Sequence, residues 1–394
     1  MLPALIATPG RRPVPDRLDG AAAVLRAVLH RGPLARTAII RRTGLSAAAV
    51  SRHTAELLAL GLVWQPPRPE QRPRPGRPRI PLDIDTSHHV VAGVHLAVPR
   101  LTFSLTDLRG RVIARERVPR QSEPGAVLHD LAVRLPGFLR RYTKGCSVLG
   151  LGVVTGGRVD PDAGVLVENA ALGWRDVPLR RLLQPVVRLP VHVESHARAL
   201  ARAELLFGTV GGGDLVHLSV GNAVDAAIAT GGDLLQGRGH GAGGVAHLPV
   251  PGSVTPCPCG RTGCLQVSVA DRTVAERAVA AGITAHADLR LLLRAARKGD
   301  ERAVELCRSR LRMVAGAVRP MLDVISPDVL VLTEAVTLHL PELLAELRSE
   351  LGGAGHLVRA GSFGTDTLSM ASVAPVLNAV YQDPLGLRTT GSAR

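Results

Sequence analysis

The sequence predicts an α/β protein in which a small basic helical domain precedes a larger two-lobed body. Three observations lead to this prediction. Residues 1–80 combine helical periodicity with 14 arginines and only four acidic residues. Beyond residue 90, strand-like and helical segments alternate. Three of the five cysteines fall between Cys257 and Cys264, which indicates a metal loop within the body.

The composition limits the class of protein. The 394 residues suffice for two or three domains, and 46% of them are hydrophobic while only 2% are aromatic, so the core is aliphatic. Most of the net charge of +15 lies in residues 1–80, which favours nucleic acid or an anionic membrane surface as a partner. No apolar run reaches the ~18 residues of a membrane span. Proline and arginine interrupt the N-terminal apolar segment, unlike in a signal peptide. We therefore expect a cytoplasmic protein without a membrane partner.

The spacing of apolar residues predicts three helices at 17–30, 35–43 and 46–60. A turn at Gly44 separates the second helix from the third, and Ser46 is suited to cap the third. A strand then begins at residue 62. This order of elements is that of a winged helix-turn-helix, which we assign to residues 1–65.

The residues predicted to contact DNA are mostly small or polar and lie on the second helix or at the start of the third: Arg36, Ser46, Ala47, Ala48, Ser51 and Arg52. Small side chains let a helix enter the major groove closely. Arg52 is the best suited to a guanine edge or a phosphate, because its planar guanidinium can bond in a bidentate manner. The alternative is a three-helix bundle that serves as a dimerisation cap, but the concentration of charge favours DNA.

Residues 66–85 form a basic segment that is rich in proline and arginine. Proline at this density excludes a helix and a central strand, so the segment is predicted to be extended. One interpretation is a stiff linker between domains. The other is a wing whose Arg74, Arg77 and Arg79 enter an adjacent minor groove. Both can hold, and phosphate contacts from this domain predict DNA binding that falls steeply with salt.

The body is predicted to be a duplicated α/β unit. Short strands joined by tight turns and followed by helices occur twice, first from residue 90 and again from residue 215. We assign residues 86–190 to a first lobe, 191–370 to a second lobe with the metal loop, and 371–394 to a C-terminal helix and tail. A cleft between two such lobes is the expected ligand site.

Four residues of the metal loop are predicted to bind the ion: His247, Cys257, Cys259 and Cys264. Thiolates and imidazole are ligands that Zn²⁺ prefers, and a Cys₃His set is a closed site with no position for a substrate water. Glycines at 260 and 263 allow the tight turns that bring three sulfurs together. A disulfide or free thiols are the alternative, although three clustered cysteines cannot all pair among themselves. The expected cofactor is structural Zn²⁺.

The body resembles the ROK family of repressors and sugar kinases over roughly residues 86–380. The resemblance is carried by the stretches 150–154, 159–164, 173–179, 189–194 and 203–208, and by the motif Cys-x-Cys-Gly-x-x-Gly-Cys-Leu, which is matched at 257–265. It implies an actin-like ATPase fold with two lobes, and it places His247 at the family's fourth zinc ligand. For the repressor branch it implies sugar-responsive control of transcription.

Four motifs that the family's kinases use for phosphate transfer are altered here. The Asp-x-Gly-Gly-Thr motif is replaced by His-Leu-Ala-Val-Pro at 95–99, which lacks the glycines that let backbone N–H groups approach phosphate. The catalytic Asp of Glu-Asn-Asp corresponds to His196. A Gly-x-Gly-x-Gly loop is Gly-Asn-Ala-Val-Asp at 221–225, and a Gly-Gly pair is Thr-Glu at 333–334. The chain is therefore predicted not to be an enzyme.

The predicted ligand-binding residues occupy or adjoin the family's sugar-contact positions: Ser195, His196, His247 and Gln266. Of these, His247 alone is unchanged from the family's pattern. Three alternatives follow for the ligand: a different carbohydrate-like effector, a phosphorylated or acidic molecule attracted by His196, or no small effector at all. For His196 itself, a buried histidine bonded to a neighbour is an equal alternative.

Together these patterns predict a sequence-specific DNA-binding transcriptional regulator, most consistent with a repressor, whose kinase activity is lost. The expected partners are a double-stranded DNA operator, a small carbohydrate-like effector and further copies of the chain in a homodimer or homotetramer. Two rival functions remain. One is a carbohydrate kinase with a DNA-binding appendage, and the other is a DNA-binding regulator that needs no ligand.

Overall fold

The computed structural model describes residues 5–6, 19–67, 80–97, 100–121, 123–169, 172–209 and 213–389. Its α-helices are α1 (Gly20–Arg31), α2 (Arg36–Thr43), α3 (Ala47–Ala59), α4 (Pro124–Tyr142), α5 (Leu179–Val187), α6 (His196–Phe207), α7 (Leu265–Val269), α8 (Asp271–Ala280), α9 (Leu289–Arg297), α10 (Glu301–Ile325), α11 (Ala335–His339), α12 (Glu342–Glu350) and α13 (Thr367–Gln382). Its strands are β1 (Leu5–Ile6), β2 (Leu34–Ala35), β3 (Val63–Trp64), β4 (Pro81–Ile84), β5 (His89–Leu96), β6 (Arg100–Asp107), β7 (Val112–Pro119), β8 (Ser147–Thr155), β9 (Arg158–Asp160), β10 (Val165–Asn169), β11 (Trp174–Val177), β12 (Val191–Ser195), β13 (Leu215–Val220), β14 (Val224–Thr230), β15 (Asp233–Leu234), β16 (Val329–Glu334), β17 (Val358–Ala360) and β18 (Arg388–Thr389). Across these ranges, no helix combines the length and the hydrophobicity needed to cross a bilayer.

The N-terminal domain folds as a helix-turn-helix, as the sequence predicts. Ser46 caps α3, because its Oγ accepts a hydrogen bond from the backbone N–H of Ala49 at 3.2 Å. Gly44 ends α2 in the left-handed region at φ 68°, where a residue with a side chain would be strained. Val50 and Leu57 on the inner face of α3 are fully buried, so the opposite face of this helix is left to solvent.

The strands on either side of the proline-rich segment pair with each other. Strand β4 pairs antiparallel with β3, where Asp83 lies opposite Trp64, and it pairs with β2 on its other side. The two ends of the segment 65–80 are therefore held side by side. This arrangement is that of a wing attached to a helix-turn-helix.

The pairing of β4 corrects one predicted boundary. The linker was predicted to run from 66 to 85, but residues 81–84 are a strand of the helix-turn-helix domain. Sequence periodicity missed this strand because it is short and pairs with residues far away in the chain. The three arginines predicted to enter the minor groove lie outside the described residues: Arg74, Arg77 and Arg79.

The body contains two five-stranded sheets of the same design. The first has the order β12-β8-β5-β6-β7, and the second has the order β15-β14-β13-β16-β17. In each, the first strand in the chain (β5 or β13) is central, begins an antiparallel meander on one side and pairs with parallel strands on the other. This repeat confirms the duplicated α/β fold that the sequence predicts.

Two further predicted boundaries are wrong. The second lobe was predicted to begin at residue 191, but β12 is the edge strand of the first sheet and pairs in parallel with β8. A C-terminal unit was predicted to begin at 371, but that position lies inside the continuous helix α13. Both errors have one physical cause, since a strand or helix is assigned to a lobe by its packing partners and not by its place in the chain.

Helix α13 packs directly on the first sheet. A Cβ atom at Gly152 of β8 would lie 1.9 Å from the carbonyl oxygen of Ser372, and a Cβ at Gly93 of β5 would lie 2.3 Å from the Oγ of Ser372. Only glycine therefore permits this approach. The next turns of α13 enter a hydrophobic cluster that also holds the core of the helix-turn-helix domain; members from both parts are Val24, Leu25, Val28, Ile39, Val50, Leu57, Val373, Val376, Leu377 and Val380.

Hydrogen bonds around α13 fix the helix-turn-helix domain to the first lobe. The Nε of Arg26 donates to the carbonyl of Tyr381 at 3.2 Å, and the hydroxyl of Tyr381 donates to the carbonyl of Leu108 at 2.7 Å. The Nε2 of His89 donates to the carbonyl of Leu60 at 2.8 Å. The domain and the lobe therefore share one core and a common set of polar contacts.

Candidate functional site

The start of α3 is an open surface. The residues predicted to contact DNA from this helix and its cap are all exposed: Ser46, Ala47, Ala48, Ser51 and Arg52. Arg36, at the first position of α2, is half-buried, and its Nε has no hydrogen-bond partner among the described residues. The arrangement offers a flat helix surface with one long cationic side chain.

A polar chain that sequence reasoning missed holds Arg52. The guanidinium Nη2 of Arg52 donates to His53 Nε2 at 3.3 Å, and His53 Nδ1 donates to Glu56 at 2.8 Å. His53 is buried against α1, where a Cβ at Gly20 would lie 2.5 Å from its Nε2. The i, i+3 spacing of His53 and Glu56 on a helix is the signal from which this contact could have been predicted.

The metal loop brings its four predicted ligands together. One ligand atom from each lies within 4.8 Å of the others: His247, Cys257, Cys259 and Cys264. The Sγ of Cys257 lies 3.6 Å from Nδ1 of His247, and the sulfurs of Cys259 and Cys264 are also 3.6 Å apart. Tetrahedral zinc with bonds of about 2.3 Å to sulfur and 2.0–2.1 Å to nitrogen requires separations of about 3.6–3.8 Å. The donor set and its spacing therefore fit such an ion.

Backbone conformation explains how the sulfurs converge. Gly260 and Gly263 have φ values of 86° and 66°, and a Cβ at Gly263 would lie 2.2 Å from the carbonyl oxygen of Ser253. The loop closes on itself through a hydrogen bond from the N–H of Cys257 to the carbonyl of Arg261 at 2.8 Å. Hydrogen bonding from the Arg261 backbone lowers the pKa of Cys259 to about 6, which favours the thiolate form that binds metal.

Buried histidines from both lobes lie close together. The Nε2 of His95, on β5, lies 2.8 Å from Nδ1 of His196, at the start of α6, so one of these nitrogens donates to the other. His217, on the central strand of the second sheet, contacts the hydroxyl of Thr333 through Nε2 at 3.2 Å. The Nδ1 atoms of His95 and His217 have no partner among the described residues. Sequence reasoning missed both of these histidines.

Burial keeps these rings neutral. It lowers the pKa of His196 to about 4 and that of His217 to about 3, and it lowers the pKa of His95 well below its ordinary value. His196 is half-buried, and its Nδ1 lies within hydrogen-bonding distance of His95 Nε2. This contact agrees with the alternative of a histidine bonded to a neighbour, and contact of His196 with a ligand stays a prediction. At neutral pH these rings offer uncharged donors and acceptors and carry no positive charge for an acidic ligand.

The other predicted ligand-binding residues lie on separate elements of the body. Ser195 is buried, and its Oγ has no partner among the described residues. Gln266 braces the turn between β13 and β14, because its Oε1 accepts from the N–H of Val224 and its Nε2 donates to the carbonyl of Asn222, each at 2.7 Å. His247 is exposed at the metal loop. The Gln266 amide is thus committed to the backbone, whereas Ser195 retains its full hydrogen-bonding capacity.

A buried ion network occupies the end of the second sheet. The guanidinium of Arg310 is fully buried and lies 3.2 Å from Glu334 and 2.7 Å from Asp271. It also donates to the carbonyl of Val220, the last residue of β13. Glu334 is the position at which the resemblance implies a glycine. Because the carboxyl ends of parallel strands are where α/β sheets bind ligands, this network fills such a position with the protein's own charges.

Family comparisons agree with these features. The model of the ROK family matches residues 91–354, which is more than half of the chain. The chain belongs to the ROK family. The model of the MarR family matches residues 16–72, the part that contains the helix-turn-helix.

Full-length relatives place this ROK protein among transcriptional regulators. Transcriptional regulator Rv0485 of Mycobacterium tuberculosis is 31% identical over 402 aligned residues, which cover 95% of this chain and 89% of Rv0485. The N-acetylglucosamine repressor of Escherichia coli is 26% identical over 330 residues, or 80% of each chain. A solved ROK family transcriptional regulator, a homologue of the E. coli MLC protein, has the same fold with a TM-score of 0.76 at 20% identity, covering 92% of this chain and 96% of that one.

Replacing His196 with glutamine is expected to reduce the loss of unfolding free energy that occurs as the pH falls below 7. The folded pKa of about 4 lies below the ordinary 6.5, so the unfolded chain binds the proton more readily, and this ring lowers the free energy of unfolding as the pH falls through 6.5 towards 4. Between pH 7 and 5 its contribution is about 2 kcal/mol. Urea unfolding at both pH values measures it in wild type and His196→Gln.

The exposed His286→Gln variant is the control, and its pH slope should equal that of the wild type. Burial raises the pKa of Asp225 to about 7, which acts with the opposite sign, but this carboxyl is present in every variant and cancels from the comparison. Equal slopes for wild type and His196→Gln would contradict the assignment.

Proposed function

We propose that this ROK family protein is a sequence-specific DNA-binding transcriptional repressor. The observation that carries the proposal is the exposed start of α3, where small side chains surround Arg52 and the opposite face of the helix is buried. A helix of this kind can lie in the major groove without steric conflict, and Arg52 can reach a base edge or a phosphate. The basic charge of residues 1–80 supplies the sequence-independent part of the affinity.

The hairpin after α3 is the proposed wing. The strands β3 and β4 belong to the same domain as α3, and they bring together the two ends of the arginine-rich segment that joins them. Its arginines are suited to a narrow minor groove beside the site that α3 contacts. In this proposal the helix and the wing read neighbouring grooves of one half-site. A homodimer or homotetramer would present two of these DNA-binding domains to a pseudo-palindromic operator.

We propose that the Cys₃His site holds one structural Zn²⁺. Four protein ligands leave no open position for a substrate, so the ion would brace the loop and take no part in chemistry. Its binding would supply folding free energy on the order of 10 kcal/mol to a segment that has little regular structure of its own. The helix α7 follows the last ligand directly, so the ion would also position Gln266 and the turn that it braces.

We propose that the cleft no longer transfers phosphate and serves as an effector site. The histidine at the family's catalytic position is bonded to His95 and is a far weaker base than an ordinary histidine, since its pKa is about 4. Ser195 and the neutral rings suit the hydroxyl groups of a carbohydrate-like molecule better than a phosphate. The name of the N-acetylglucosamine repressor is consistent with an effector of this class.

A path for coupling connects the cleft with the DNA-binding domain. Helix α6 begins at His196 and packs against α13, which in turn packs in the core of the helix-turn-helix domain. A displacement of the start of α6 would therefore be transmitted to the helix-turn-helix domain through two rigid, packed helices. Effector binding that favours one arrangement of the lobes would alter the distance between the two DNA-binding domains of a dimer.

Substituting Arg52 with alanine is expected to weaken binding to the preferred duplex by about 10–100-fold, because one base or phosphate contact is lost. The duplex is first selected from a random pool with the full-length protein, and affinity is then measured by fluorescence anisotropy at 50 and 200 mM salt. Wild-type affinity should fall by about 10³-fold or more between these salt concentrations. Arg181→Ala, an exposed arginine on α5, is the matched control. Failure to select any duplex, or an equal loss in the control, would refute the assignment.

Changing Cys264 to serine is expected to abolish zinc binding, since a serine hydroxyl is a poor replacement for a buried thiolate ligand. Metal analysis of the purified protein should find about one zinc per chain in the wild type and less than a tenth of that in Cys264→Ser. Cys146→Ser, outside the loop, should keep its zinc. A chelator should lower the melting temperature of wild type and of this control. Zinc retained by Cys264→Ser would argue against the site.

Sugar phosphorylation is expected to be absent. Protein incubated with ATP, Mg²⁺ and a panel of hexoses should form no sugar phosphate above the level of a heat-treated sample, whereas a ROK glucokinase run in parallel should be active. Thermal-shift measurements with the same sugars show whether any of them binds, because a ligand of the folded state raises the melting temperature. Any turnover above background would contradict this expectation and favour the rival hypothesis of a carbohydrate kinase.

A further inference from the structure

A second group of side chains of the types that ligate metals lies between the lobes, away from the cysteine loop. Asp160 ends β9, Asp162 follows it, and His240 ends the 3₁₀ turn Arg238–His240 that comes after β15. The Nε2 of His240 is 3.5 Å from Oδ1 of Asp160 and 3.6 Å from Oδ2 of Asp162. All three ligand atoms lie within 4.8 Å of one another. An imidazole from the second lobe thus faces two carboxylates that belong to the first.

The hydrogen bonds of Gln236 define the tautomer of His240. The Oε1 of Gln236 accepts from the guanidinium of Arg198 at 2.7 Å, and since a guanidinium only donates, this atom is the amide oxygen. Oε1 also lies 3.2 Å from Nδ1 of His240, so Nδ1 carries the donated proton. In the neutral ring Nε2 then has a lone pair, and that lone pair faces two negative charges. A histidine that donates from one nitrogen to a fixed acceptor is the usual arrangement of a metal ligand.

The distances also suit a bridging cation. Separations of 3.5 and 3.6 Å exceed the 2.7–3.2 Å of an ordinary N–H···O hydrogen bond. Ligands that bind one ion at about 2.1 Å in tetrahedral geometry lie about 3.4 Å from each other. We propose that Asp160, Asp162 and His240 bind a divalent cation that connects the two lobes. This proposal does not depend on the DNA-binding function.

The aspartate loop is already held in place for such an ion. Arg180 donates to the carbonyl of Asp162 at 2.7 Å and to that of Pro161 at 2.6 Å, and the N–H of Ala163 donates to Oδ1 of Asp160 at 2.9 Å. The positive charge of Arg180 lies near the carboxylates of Asp160 and Asp162, and it reduces the negative charge that the cation must balance. The half-exposed position leaves room for water ligands, so the site would exchange its ion with solvent. Oxygen and imidazole donors favour Mn²⁺, Co²⁺ or Zn²⁺ over softer ions.

Titration with Mn²⁺ tests the proposal. The full-length protein, with zinc in place and without an affinity tag, is titrated while electron paramagnetic resonance reports free Mn²⁺. Mn²⁺ has the lowest ligand affinity in the Irving–Williams order of divalent ions and will not displace zinc from thiolates. One Mn²⁺ per chain is expected, with affinity at least tenfold weaker in His240→Ala and in Asp160→Asn with Asp162→Asn. Added Mn²⁺ should raise the melting temperature of the wild type and not of these variants.

Two variants serve as matched controls, since both positions are exposed and lie outside the cluster: His286→Ala and Asp323→Asn. Each should bind Mn²⁺ as the wild type does, and total zinc should stay constant throughout. The alternative is an ion pair in which His240 is doubly protonated. Absence of Mn²⁺ binding to the wild type, or equal binding by His240→Ala, would overturn the proposal.

Discussion

The close approach of α13 to the first sheet is the constraint on which the arrangement of the chain depends. Gly93 and Gly152 leave space for the backbone at Ser372, and any side chain at these two positions would push the helix outward. The following turns of α13 then bury valine and leucine side chains against α1 and its neighbours, each worth about 1.5–3 kcal/mol. Because one helix completes two cores, the DNA-binding domain and the first lobe cannot separate without exposing apolar surface of both.

Each lobe holds a group of buried polar side chains near the end of its central strand. In the first lobe, His95 and His196 are bonded to each other, and burial holds both rings neutral. In the second lobe, Arg310 is neutralised by Glu334 and Asp271 at the end of the central strands. Buried charges of this kind cost desolvation energy and are tolerated only when they are paired. Both lobes therefore contain buried polar groups that interact with one another at these positions.

Local features could be predicted from the sequence, whereas non-local pairings could not. The Ser46 cap, the repeated hairpins and the clustering of the four candidate metal ligands depend on residues within one loop or one turn, so their spacing indicates them directly. Strand β4 and strand β12 were assigned to the wrong units because their partners lie far away in the chain. The contact of His95 with His196 spans 101 residues. Arg310 was missed because a charged residue on the inner face of a long amphipathic helix departs from the pattern that defines that face.

The shared helix also orders events during biosynthesis. Helices α1 to α3 leave the ribosome first, and α13, which completes their hydrophobic interior, follows after roughly 300 more residues. At synthesis rates of about 5–20 residues per second, the N-terminal domain waits roughly fifteen seconds to a minute for its packing partner. A nascent chain thus carries a helix-turn-helix domain whose hydrophobic core is incomplete. This domain can bind an operator only when translation of the body is nearly finished.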